Sequence, residues 1–207
     1  MSALCVLTGD LVASSELSPE AVDHTLTTIQ TAVHAMSAWP SLTGFAHFAR
    51  RGGDGWQIAL SDPSVALRAA LFLRAYLQRD DTMAKTRISI ATGTGTLPAS
   101  GDLNAAHGPA FVSSGRQLQT ISGHALMAHA QGGGHHAATR LADHIASGWT
   151  QAQARAMAAL LPPDAPARAQ VAASFGITRQ AVNQALWSAG YPALMEAIEA
   201  IEAEGSK

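Results

Sequence analysis

Apolar residues recur along this chain at two periods, and each change of period marks an element. Residues 3–8 form an unbroken apolar run closed by Gly9-Asp10, the pattern of a buried strand. Ser18-Pro19-Glu20 then supplies a cap and a first-turn proline. Val22, Leu26, Ile29, Val33 and Met36 follow at steps of four and three, predicting a helix that closes at Pro40. Residues 44–51 and 55–60 read as two strands folded back across Gly52-Gly53-Asp54-Gly55. Asp62-Pro63 opens a second helix with Val65, Ala69, Phe72 and Tyr76 on one face, and residues 86–92 alternate as a half-buried strand does. A loop through Asn104 leads to a helix over Gly108–Ile121 and a short strand over His124–Ala130. The order β, α, β, β, α, β, α, β predicts an α+β fold of the ferredoxin-like or palm kind, a mixed sheet with helices on one face.

Gln131-Gly132-Gly133-Gly134-His135-His136 interrupts the pattern and reads as a linker. Beyond it the chain is alanine-rich, and helices are expected over about 137–146, 149–161, 165–174, 178–188 and 191–204. The division is therefore an α+β domain over 1–131 and an all-α domain over 132–207. A chain of 207 residues, 47% hydrophobic, has room for that pair and a real core.

The formal charge of −2 lacks the bulk signature of a nucleic-acid binder, so DNA contact must come from a local patch. Cys5 is the single cysteine and cannot form an internal disulfide; its apolar run makes it core. The first apolar run is short and broken by Gly9-Asp10, so it is read as neither a signal peptide nor a spanning helix, and a cytoplasmic protein is expected. His107, His124, His129, His135, His136 and His144 are not read as zinc ligands, because structural zinc needs four convergent ligands and no companion cysteines exist. A nucleophile elbow, a Walker loop and a Rossmann fingerprint are all missing.

Candidate chemistry lies where Asp10 and Asp54 end apolar runs beside Gly9, Gly53 and Gly55, glycines expected to bring the backbone close to the ligand that the carboxylates hold. Two carboxylates meeting in space suit Mg2+ or Mn2+, and through the metal a nucleoside triphosphate. The competing reading makes Asp10 a turn cap and Asp54 an ordinary turn residue before glycine.

Four pieces of this region, Thr8-Gly9-Asp10-Leu11-Val12-Ala13-Ser14, Gly53-Asp54-Gly55-Trp56-Gln57, Arg87-Ile88-Ser89-Ile90-Ala91-Thr92-Gly93 and Gly108-Pro109-Ala110-Phe111, occur in the order of a known group. Segment 4–121 resembles the SatD family and, behind it, the catalytic domain of class III nucleotidyl cyclases, with its palm-like fold. The resemblance implies that Asp10 and Asp54 bind metal, that Arg116 steadies phosphate charge, and that Arg50 takes the place of the purine-recognising lysine. It also implies a head-to-tail homodimer in which Asp10 and Asp54 face Arg116 of the other copy. Two positions depart from the pattern: Val112 stands where the cyclases carry asparagine, and Ala105 where an aspartate pairs with the purine. Misorientation of this kind can slow a reaction about 100-fold. A degenerate domain that binds a metal-nucleotide is thus expected, the alternative being an active cyclase or nucleotidyltransferase.

In the second half, Ala172, Gly176 and Val182 have the spacing of a helix-turn-helix. Ala172 lets helices cross closely, Gly176 permits a left-handed turn, and Ile177 and Val182 are expected in the small core. Thr178 caps the second helix, and Arg179, Gln180, Asn183 and Gln184 can bond base edges in the major groove. Trp187 and Tyr191 are expected to pack. The competing reading is a bundle that only joins subunits, since 149–207 holds Arg155, Arg168, Arg179 and Lys207 against Asp164, Glu196, Glu199, Glu202 and Glu204. Leu194, Ile198 and Ile201 give the last helix an apolar side, suited to a dimer seam or to covering the bundle. Together these features describe a DNA-binding transcriptional regulator that acts as a homodimer on double-stranded DNA.

Overall fold

In the computed structural model, which describes residues 2–80 and 83–205, strand β1 (Ser2–Leu11) is the middle of a five-stranded sheet. Its order is β2 (Ala46–Arg51), β3 (Gly55–Leu60), β1, β4 (Thr86–Gly95), β5 (Met127–His129). Every neighbouring pair is antiparallel except β4 and β5. The fold is mixed α and β, with eight α-helices among the described residues, the last four packed on earlier helices and on one another rather than on the sheet.

The pleat sends alternate residues to opposite faces. Cys5, Leu7 and Leu11 point with Ile58, Leu60, Ile88 and Ile90 into the main core, against α1 (Pro19–Met36) and α2 (Ala66–Gln78). Ser18 caps α1, accepting from the N–H of Ala21 at 3.2 Å, as the Ser-Pro-Glu signal predicts. Leu4, Val6 and Ala59 face the other way, onto Ala110 and Phe111 of α3 (Pro109–Leu118) and onto Leu103. Helices therefore cover both faces. The expectation of a single covered face fails because α3 returns across the side that the even-numbered residues of β1 present.

The chain continues as α4 (Gly133–Ser147), α5 (Gln151–Leu160), α6 (Arg168–Phe175), α7 (Arg179–Ser188) and α8 (Tyr191–Gly205). Helix α4 begins inside the stretch read as a linker, since three glycines conceal a helix start that packing supplies. One continuous apolar core runs from the sheet through α2 into Met157, Leu161, Val171, Val182, Leu186, Leu194 and Ile198. Residues 66–75 of α2 are all buried, because the helix is covered on several sides.

That burial forces its arginines to find partners. Arg68 donates to both carboxylate oxygens of Glu202 at 2.6 and 2.8 Å and to the Leu161 carbonyl at 2.7 Å. Arg74 donates to Asp143 at 2.8 Å, and the same carboxylate accepts from Arg140 at 2.5 Å and from the N–H of Leu126 at 2.8 Å. Burial pulls the Arg74 guanidinium below its ordinary value, and Asp143 opposes that. Among the described residues no helix is long and apolar enough to cross a membrane.

Candidate functional site

The acidic end of the sheet is built around a tryptophan. Gly9 lies opposite Trp56 in the β1–β3 register, and Trp56 is fully buried. A Cβ on Gly9 would come within 2.3 Å of both the Trp56 ring and the Arg87 carbonyl, so only glycine fits. Packing thus accounts for a glycine that the sequence reading gave to a ligand. Trp56 Nε1–H donates to Thr86 Oγ1 at 2.8 Å, and Thr86 in turn donates to the Asp10 carbonyl at 2.7 Å. Gly55 is equally constrained, with a Cβ there falling 2.4 Å from the Arg51 carbonyl, whereas Gly53 has open space around it.

One residue further, Asp10 turns to the opposite face and meets Arg87, its partner in the β1–β4 register. Arg87 Nε and Nη2 donate to the two Asp10 oxygens at 2.7 and 2.5 Å, and Nη1 donates to the Ile121 carbonyl at 3.1 Å. The Arg87 guanidinium is raised above its ordinary value by its hydrogen bonds to Asp10, and then by the charges of Asp10 and Asp54. Asp54 sits in the hairpin turn just before Gly55, beyond the Gly9–Trp56 pair, so the two carboxylates belong to one end of the sheet. Arg87 is the residue that sequence reasoning missed. Its signal was there, as the charged position of an alternating strand, but a single sequence does not state which residue it faces.

The other proposed ligand residues lie elsewhere. Arg50 pairs with Trp56 and so projects to the α1 face, away from Asp10. There it donates to Asp23 at 2.8 Å and to the Gly53 carbonyl at 3.2 Å. Arg116 is exposed in the last turn of α3, and no hydrogen bond or ion pair joins it to Asp10 or Asp54 among the described residues. Beneath the acid pair, Gln57 and Ser114 both donate to Thr8 Oγ1, at 3.1 and 2.7 Å.

A divalent cation prefers free carboxylate oxygens. Both oxygens of Asp10 are engaged by the Arg87 guanidinium, so Mg2+ or Mn2+ between Asp10 and Asp54 would have to displace it. Nor do three metal-ligating side chains of the His, Cys, Asp and Glu types converge among the described residues.

At the other end of the chain, α6 stops at Gly176, whose φ of 67° is the left-handed conformation suited to glycine. The N–H of Ile177 closes the turn on the Ala172 carbonyl at 3.0 Å. Thr178 caps α7, accepting from the N–H of Ala181 at 3.1 Å. Val182 and Leu186 are buried in a core shared with Val171 and Ala172 of α6 and Met157 of α5. Arg179, Gln180 and Gln184 are exposed. Asn183 is half-buried, and its Oδ1 accepts from Arg168 at 3.0 Å, so that oxygen is engaged within the protein. Tyr191 packs as expected, donating to the Leu160 carbonyl at 3.2 Å. Ile177 and Trp187 do not pack: they are 47% and 70% exposed, because the turn and the outer side of α7 face away from the bundle.

Comparison with models of known protein families and with curated proteins finds no match for this chain.

Proposed function

We propose that the chain is a DNA-binding regulator that reads bases in the major groove with α7 and acts as a homodimer. The observation that carries this reading is the exposed run of Arg179, Gln180 and Gln184 on a Thr178-capped helix held from behind by α5 and α6. Arginine suits guanine edges and glutamine suits adenine edges. Thr178 contributes through its cap and Asn183 through Arg168, so the reading surface is narrower than the sequence suggests. Few cations surround it, and a homodimer offering two recognition helices compensates for weak phosphate contact. Selection from a pool of random-sequence duplexes tests the reading: a recurring sequence with two related half-sites is expected, and failure to enrich any sequence counts against it.

A second reading keeps a metal-nucleotide at the acid pair, supported by the register that brings Asp10 and the turn bearing Asp54 to one end of the sheet. It requires Arg87 to release Asp10. Formation of a cyclic or linear product from a nucleoside triphosphate with Mn2+, lost in Asp54→Asn, would favour the enzyme reading over the regulator.

A further inference from the structure

From Asp10 back to Ala3, β1 covers about 23 Å at ~3.3 Å per residue, and at its Ala3 end lies a cavity of about 410 Å³. Neither the acid pair nor the DNA reading uses it. It adjoins the carboxyl ends of β4 and β5, the parallel pair of the sheet. Open sheets with parallel strands present ligands at such ends, where the chain leaves a strand for a helix start. Here β5 leads directly into α4, and the volume suits a small molecule.

Two buried side chains in its wall are prepared for a partner that the protein does not supply. Thr139 is fully buried, yet its Oγ1 has no hydrogen-bond partner. A threonine inside a helix can donate to the carbonyl one turn back, as Thr25, Thr28 and Thr31 do at 2.9 Å in α1. Thr139 does not. His129 is 3% exposed, and its Nδ1 accepts the N–H of Gln131 at 3.2 Å. That bond fixes the ring proton of the neutral form on Nε2. Burial, and then the neighbouring His135 and His136, hold the ring down to about 4, so at neutral pH it is an uncharged donor.

The rim adds to this. His135 stacks on His129 with centroids 5.2 Å apart, and the Glu204 carboxylate lies 3.8 Å from its Nε2. Hydroxyl and imidazole groups thus line one space, and a carboxylate of the chain itself already rests against His135.

We propose that this cavity binds a small molecule bearing an oxyanion, carboxylate or phosphate, held by Thr139 Oγ1–H, His129 Nε2–H and His135, with the ligand displacing Glu204. The site is independent of the DNA reading and stands or falls separately.

The test follows the histidine ring signals of the full-length protein by NMR at pH 7.5. Inorganic phosphate and acetate are titrated separately, with ionic strength held constant by sodium chloride. Saturable displacement of the His129 and His135 signals is expected; phosphate alone identifies a phosphate ligand, acetate alone a carboxylate. Thr139→Val, nearly unchanged in volume, is expected to weaken binding at least ten-fold while the melting temperature holds or rises, because a buried unpartnered hydroxyl is removed. Thr139→Ser keeps the hydroxyl and is expected to keep binding. Absence of saturable displacement by either anion, or displacement that Thr139→Val leaves intact, overturns the proposal.

Discussion

Arg87 stands directly across the β1–β4 ladder from Asp10 and holds both of its carboxylate oxygens. The sheet thereby provides its own counter-charge for the acidic end, in the position that a divalent cation would need to enter. The wild-type melting temperature is accordingly expected to ignore Mn2+, with or without a nucleoside triphosphate. In Arg87→Ala the carboxylates lose that counter-charge, stability falls by about 1 kcal/mol, and Mn2+ now raises the melting temperature by binding the native state. A Mn2+-dependent rise of the same size in wild-type protein would mean that Arg87 yields Asp10 to metal.

Gly9 is expected to tolerate no side chain. The clash with Trp56 and with the Arg87 carbonyl, both at 2.3 Å, puts Gly9→Ala at or above the 1–3 kcal/mol or so typical of overpacking. Urea unfolding measures the loss, and altered tryptophan fluorescence in the folded state accompanies it. A Gly9→Ala protein of wild-type stability would contradict the packing described for Trp56.

Asp143 joins α2 to α4 by accepting from Arg74, Arg140 and the N–H of Leu126 while almost wholly buried. Asp143→Ala leaves a buried guanidinium without its counter-charge, and such losses run to about 3–5 kcal/mol. The chemical-denaturation midpoint is expected to fall accordingly. A change below about 1 kcal/mol would mean that Arg74 finds another partner.

His129 makes stability depend on pH in a stated direction. Its folded value of about 4 lies below the ordinary 6.5, so between those values the unfolded chain binds a proton that the native protein refuses. Its contribution is complete above pH 6.5 and is lost as pH falls towards 4, by about 3 kcal/mol for a gap of this size. Unfolding free energy measured across pH 7 to 4 is expected to fall more steeply in wild type than in His129→Phe. Equal slopes would contradict the burial of a neutral ring.

What was legible in the sequence follows physical lines. Helix α1 was readable because Ser18-Pro19 and a three-and-four apolar stripe agree, and the β2–β3 hairpin because glycines crowd its turn. The start of α4 was not, since glycine weakens every local helix signal. At the acidic end the two aspartates were found as strand ends, but which arginine serves them depends on register. Arg50 is near Asp54 in sequence yet projects to the α1 face, while Arg87, far away in sequence, shares a face with Asp10. On α7 the polar reading face was visible. Trp187 and Ile177 were assigned to the core on hydrophobicity alone, although many apolar side chains remain at protein surfaces.

The central claim is tested most directly by fluorescence anisotropy on the duplex that selection enriches, comparing wild type with the double variant Arg179→Ala, Gln180→Ala. Both side chains are exposed, so the variant is expected to melt as wild type does while losing ten-fold or more in affinity, given about 1–3 kcal/mol for each good base contact. Unchanged affinity in a folded double variant would contradict recognition by α7.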